Sequence, residues 1–387
     1  MSQKGRGLPG RARAWAAALA ILAVAAVSGG FAAGAGAVPG NFWGVAPQAT
    51  PTAEQFQRLK RGGVDSVRIP VEWGAVQASP GQGFNWNGTD ALVGGAAAAG
   101  IEIFPFVTGA PSWAVKSAVV NRAAHAKAPL NLPVRTAVQK TGWTTFLTEA
   151  VRRYGPNGAF WAANPAVPYR PIRIWQLWNE PNFKYFVARP NPAEYGKLVK
   201  LSTPVIRGID PGAKIVLAGL FAAPKEANYK VKPPQAYFAT DFIEQLYKKT
   251  PGIKSMFNGV ALHPYTYDYR DIAGHVEELR DVLSAAHDSG KGLWITELGW
   301  SAGKPNAGNG FNGFEKGPSG QAAQLKGAFR LLKANQKKWN LKQVFWFSVD
   351  DKPGACNFCG GSGLFGPGFV ARPSWKAYVK FAGGTAG

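Results

Sequence analysis

Ile172-Arg173-Ile174-Trp175-Gln176-Leu177-Trp178-Asn179-Glu180-Pro181 is a β-branched and aromatic run that stops abruptly at Asn-Glu-Pro. Such a run reads as a buried strand that carries a carboxylate to its own C-terminal tip. A second run, Leu293-Trp294-Ile295-Thr296-Glu297-Leu298-Gly299-Trp300, does the same 117 residues after Glu180. A pair of glutamates at strand tips is the equipment of glycosidic-bond cleavage, in which one acid protonates the leaving oxygen and the other, ionised, supports or attacks the anomeric carbon.

Outward from these two strands the pattern alternates without a break. Strand-like runs cover Phe42–Ala46, Val64–Ile69, Ile101–Val107, Ile172–Trp178, Ala213–Gly219, Gly259–His263, Leu293–Glu297 and Gln343–Ser348. Helix-compatible stretches follow each in turn: Thr52–Arg61, Thr89–Ala99, Thr141–Tyr154, Pro192–Ile209, Ala236–Lys249, Ala273–Ser289, Ser319–Lys338 and Ser374–Phe381. Eight βα units in series predict an α/β fold, a single (β/α)₈ TIM barrel over residues 38–387. Pro204 conflicts with the fourth helix and is expected to kink or split it. Connections leaving the strands are the long ones, which concentrates sequence on the face where barrel active sites form.

Arg68 lies inside an apolar strand, where an unpaired charge is costly, so it should hold a buried carboxylate. Glu297 is the natural partner, and the arginine's charge would keep that acid ionised as a nucleophile. His263 and Tyr265, at Leu262-His263-Pro264-Tyr265, are placed to bond the same carboxylate or the substrate. Asn179 can offer its amide to a hydroxyl next to the reacting carbon, where the interaction strengthens in the transition state. Trp113, Trp178, Trp300 and Trp346 stand at strand ends and are candidate stacking platforms for a sugar, whereas Trp175 and Trp294 sit within strands and are expected between barrel and helices. Asp350 and Asp351 read either as a pair that binds hydroxyls or a cationic sugar, or as a solvated loop.

Trp178-Asn179-Glu180-Pro181 on strand four, Glu297 on strand seven, His263-Pro264-Tyr265 on strand six, Arg68 on strand two and Trp346 on strand eight together resemble the retaining glycoside hydrolases of clan A. Gly109-Ala110-Pro111-Ser112-Trp113-Ala114 and Arg372-Pro373-Ser374-Trp375-Lys376-Ala377-Tyr378 are most similar to family thirty-nine and its barrel-only relatives, with family five next. The resemblance implies that Glu180 is the acid/base and Glu297 the nucleophile of a double displacement on a polysaccharide or oligosaccharide. A transglycosylase, or a catalytically silent glycan-binding barrel, would share these residues. The 387 residues leave no room for the accessory β-sandwich of many family members, which puts those members' usual substrates in doubt here.

Lys4, Arg6, Arg11 and Arg13 precede the uncharged stretch Ala14–Val27 and the small residues Ala35-Gly36-Ala37, the order of a secretory signal over residues 1–37. Cleavage there would make the protein secreted or envelope-associated; an uncleaved segment would tether it to the membrane. Loss of that segment removes four basic groups and no acid, taking the formal charge from +22 to +18. A surplus of that size draws in polyanions such as anionic glycans if the cations cluster, and means little if they are scattered. No zinc-finger, basic-zipper or RRM-like signature supports a nucleic-acid partner. Cys356 and Cys359, the only cysteines, suit a small disulfide stiffening one loop. With four histidines and neither H-x-H nor H-E-x-x-H, no histidine-based metal site is expected. The G-x-G-x-x-G matches at Gly308–Gly313 and Gly361–Gly366 do not join a strand to a helix, so no dinucleotide cofactor is expected either.

Overall fold

The computed structural model describes residues 38–121, 126–129, 131–222, 231–233, 235–305, 313–356 and 358–387. The proposed signal segment, most of Gly308–Gly313 and parts of three strand-to-helix loops lie outside the described residues. Within them, eight parallel strands close into one barrel: β1 Trp43–Ala46, β2 Ser66–Glu72, β3 Glu102–Thr108, β4 Ile174–Asn179, β5 Lys214–Ala222, β6 Gly259–Pro264, β7 Gly292–Leu298 and β8 Leu341–Phe347. Each strand pairs in parallel with its sequence neighbours, and β1 closes the ring on β8. The outer ring consists of α1 Ala53–Arg61, α2 Asn87–Ala98, α3 Ala137–Tyr154, α4 Pro192–Ile209, α5 Ala239–Lys249, α6 Ile272–Ala285, α7 Gly317–Ala334 and α8 Pro373–Ala382.

Strands buried on both faces read as unbroken apolar runs, which is why their order was predictable. Their lengths were not. β2 runs on through Pro70 to Glu72, and β5 runs three residues past Gly219. Helix α3 starts at Ala137 rather than Thr141, because Thr136 and Gln139 form a reciprocal capping box. Pro204 does not split α4: the helix is continuous from Pro192 to Ile209, with Pro204 on its exposed face. There the carbonyl freed by the missing N–H can turn to water instead of remaining unpaired.

Two hydrophobic layers result. The larger lies between barrel and helices, and Trp73, Trp143, Trp175 and Trp375 are fully buried in it. The smaller fills the barrel with Phe104, Val216, Ala261, Trp294 and Phe345. Phe104 on β3 meets Phe345 on β8 at 5.1 Å between ring centres, although those strands are not neighbours, so the contact spans the interior. Trp294 therefore belongs inside the barrel, contrary to the expectation that it packs outward; its indole N–H is taken by Gln343 at 3.0 Å.

Candidate active site

Alternation along β4 sets the site. Gln176 and Asn179 both accept hydrogen bonds from Arg68, although residues three apart face opposite sides of a regular strand. The shift of pleat comes from Trp178, which adopts φ 76° in the left-handed region, followed by Glu180 at φ 39°. Such backbone is rare outside glycine and concentrates at functional sites. Here it turns Asn179 and Glu180 toward the barrel axis in immediate succession.

Arg68 is 2% exposed and divides its fork among three acceptors: Nε donates to Gln176 Oε1 at 2.8 Å, Nη1 to Glu297 Oε1 at 2.6 Å and Nη2 to Asn179 Oδ1 at 2.6 Å. Its guanidinium also lies 4.0 Å over the Phe106 ring. Tyr265 donates its hydroxyl to Glu297 Oε2 at 2.8 Å. Burial, then the negative Glu297, push the Tyr265 phenol well above its ordinary range, so it stays a donor. Both Glu297 oxygens are thus held by donors from different strands.

Glu180 is arranged differently. Its Oε1 lies 2.7 Å from His263 Nδ1, and the other imidazole nitrogen is 2.9 Å from Thr296 Oγ1. Burial, reinforced by Arg68, holds His263 well below the usual imidazole range, so it is neutral and carries one N–H. Burial and then the Glu297 charge raise the Glu180 carboxyl well above the ordinary value, with Arg68 opposing. Two carboxyls thus share one cleft in different surroundings, Glu180 beside a neutral imidazole and Glu297 clamped by Arg68 and Tyr265. His263 fits beside them because residue 219 is glycine: a methyl group there would overlap the imidazole and crowd the Thr296 hydroxyl.

The raised Glu180 carboxyl has a consequence for folding. From the ordinary value of 4.5 upward the folded state binds this proton more tightly than the unfolded chain, so stability falls as pH rises through the window up to the folded pKa. Glu180→Gln is accordingly expected to raise the melting midpoint at neutral and alkaline pH, with the gain vanishing below about pH 4.5 where both side chains are neutral. Calorimetry of wild type and variant across pH checks this; a pH-independent difference would contradict it.

One Glu180 oxygen, His263 Nδ1 and one Glu297 oxygen all lie within 4.8 Å of one another, a spacing that three metal ligands could have. The Arg68 guanidinium at 2.6 Å from Glu297 opposes a second cation there, and the arrangement fits an acid pair better than a metal centre.

A cleft of about 420 Å³ opens beside Glu297, walled by β1 to β4 and by the chain beyond β8. Of the four tryptophans expected as platforms only Trp178 lines it. Trp300 and Trp346 are 1% and 0% exposed, and their N–H groups go to the carbonyls of Thr266 and Ser362. Trp113 packs edge-on against Trp73 and donates to the Gln77 carbonyl. Trp300 and Trp346 are thus buried in the walls, and the half-buried Trp113 does not line this cleft. Aromatic surface at the cleft comes from Phe106, Phe186 and Phe347 instead; Phe186 is exposed, as is its chain neighbour Tyr185. Asp351 is neither hydroxyl-binding nor solvated: it pairs with Arg372 through contacts of 2.7 and 2.5 Å. Cys356 and Cys359 form a disulfide, and both line the cleft. Gln176 and Thr296 were missed, although each is a polar residue inside an apolar strand, the signal that singled out Arg68.

No family model matches the chain, and no curated protein matches it. Among solved structures, a family 39 glycoside hydrolase from Bacteroides cellulosilyticus superposes with a TM-score of 0.61 at 18% identity, over 89% of this chain and 64% of that one. An intracellular xylanase from Thermoanaerobacterium saccharolyticum gives 0.55 at 17% identity, over 87% and 94% of the two chains. A family 5 enzyme from Bifidobacterium longum subsp. infantis gives 0.59 at 14% identity, over 88% and 78%. The fold is the one these glycoside hydrolases share. This chain spans less than two thirds of the Bacteroides enzyme's length.

Proposed function

We propose that the protein is an exported retaining glycoside hydrolase acting on a polysaccharide or oligosaccharide. One observation carries the proposal: a Glu180 carboxyl raised well above its ordinary value and a donor-clamped Glu297, with carboxyl oxygens within 4.8 Å. That spacing supports a double displacement, for which carboxyls stand about 5–5.5 Å apart, over an inverting mechanism, whose carboxyls stand farther apart to admit a water. Glu180 gives its proton to the leaving oxygen while Glu297 attacks the anomeric carbon; Glu180, then ionised, draws a proton from the water that releases the sugar. Arg68 and Tyr265 fix the attacking carboxylate, and Arg68 also turns Asn179 so that its amide nitrogen remains for a sugar hydroxyl.

Exposed Phe186 at the cleft and its exposed chain neighbour Tyr185 favour a substrate longer than one ring, since aromatic faces stack on successive sugars. The disulfide favours an oxidising compartment, in line with the basic and apolar N-terminal segment. No helix among the described residues is long and apolar enough to cross a membrane. A panel of chromogenic glycosides and purified polysaccharides, run against wild type and Glu297→Gln, tests the proposal. Release of sugar by wild type alone, with anomeric configuration retained by NMR, is the expected result. Products of inverted configuration, or equal activity in both proteins, would sink it.

A further inference from the structure

On β2, residues 68, 70 and 72 share the inward face by strand alternation, and all three line the cleft. Arg68 is at the bottom, Pro70 above it and Glu72 at the top, beside its β3 partner Thr108. Glu72 is open to the cleft yet closely surrounded: its stem abuts Gly109, and burial raises its carboxyl above the ordinary value. Among the described residues no hydrogen bond or ion pair to its carboxylate is present. Glu72 on β2 and Glu297 on β7 both line the cleft, on strands that are not neighbours in the barrel.

Cations are scarce in the same place. Among the described residues that line the cleft, Arg68 is the one positive group, and all three of its nitrogens are engaged. Lys352 beyond β8 donates to the Gln48 carbonyl at the rim, and Arg372 is held by Asp351. Among the described residues that line the cleft, none therefore offers a free cation. A ring carboxylate there would meet Glu72 and Glu297, while the one cation among the described lining residues, Arg68, is already paired to Glu297; close like charges cost several kcal/mol. An unpartnered carboxylate does offer acceptors for two neighbouring hydroxyls, through charge-assisted bonds stronger than neutral ones.

We infer that Glu72 determines specificity at the ring undergoing cleavage, binding the hydroxyls of an uncharged sugar and excluding uronic acids. This rests on the hydrolase function proposed above. Basic surface elsewhere on the molecule then serves any affinity for anionic polymers, apart from the bond-breaking subsite.

The test uses pairs of 2,4-dinitrophenyl 2-deoxy-2-fluoroglycosides that differ only at C6, hydroxymethyl against carboxylate, in several ring configurations. Labelling of Glu297 is followed by intact mass in wild type, Glu72→Gln and Glu297→Gln. The expected outcome is that wild type accepts a neutral member about 100-fold or more faster than its uronide partner, from the cost of close like charges. Glu72→Gln should label with that neutral member about tenfold more slowly, with the ratio compressed about tenfold or more, since loss of a charged hydrogen-bond partner is worth that much. Its melting temperature should not fall, because the change is isosteric and removes a poorly solvated charge. Equal or faster labelling by uronides, or an unchanged ratio in Glu72→Gln, overturns the inference while leaving the hydrolase intact. If no compound labels wild type and no glycoside is cleaved, the hydrolase fails and the inference with it.

Discussion

Glu180→Ala and Glu297→Ala should lose activity in different ways, and the difference separates their roles. Without Glu180, substrates with poor leaving groups suffer most, because nothing protonates the departing oxygen; an activated aryl glycoside needs little such help and still forms the glycosyl-enzyme. That intermediate then persists for want of a base. Added azide, small and anionic, should release it as a glycosyl azide of retained configuration. Without Glu297 the attacking oxygen itself is gone, so turnover should fall on the order of 10⁴-fold or more on every substrate, with neither leaving-group dependence nor rescue in retained configuration. Steady-state rates across a leaving-group series, with NMR of the azide products, read both out. Exchanged behaviour would reverse the roles, and two fully active variants would remove both residues from the chemistry.

The second large effect is expected at Arg68. Its replacement by Met leaves Glu297 with Tyr265 as its remaining donor and frees the carbonyl oxygens of Gln176 and Asn179. Removing one member of a buried pair costs about 3–5 kcal/mol, which at the transition state corresponds to about 10²–10⁴-fold in kcat/KM. Circular dichroism should still show a folded barrel, since methionine fills the space with apolar atoms. Arg68→Lys should fall between, because a point charge cannot serve three acceptors fixed in the plane of a fork. Full activity in Arg68→Met would make the arginine purely structural.

The order of the barrel was readable because each strand is a short apolar run bounded by turn residues, and the two glutamates because they interrupt such runs at the tip. Burial cost also pointed to Arg68 and its partner: a charge within Val67-Arg68-Ile69 must be answered from across the barrel. What stayed hidden depends on which way a side chain points. Trp300 and Trp346 end strands as a platform would, yet their indoles turn to carbonyls in the wall, while Phe347, one residue on from Trp346, faces the cleft. A period of two cannot be carried through a left-handed residue, and Trp178 and Glu180 are both left-handed. Glu72 was concealed by Pro70, which reads as the end of a strand that in fact continues.

Gly219 gives the site a determinant of another kind. It lies on β5, a strand that carries none of the acids, and besides the carbonyl that accepts the Glu180 N–H at 3.0 Å its contribution is the volume it leaves to the imidazole and hydroxyl beside it. A survey of this barrel that looked only for groups able to react would pass over it. Yet any larger residue there would crowd the histidine that lies against Glu180, and so retune an acid whose side chain it does not itself contact. Part of the catalytic design is therefore written as empty space, and a graft of these side chains onto another barrel would have to copy that vacancy along with them.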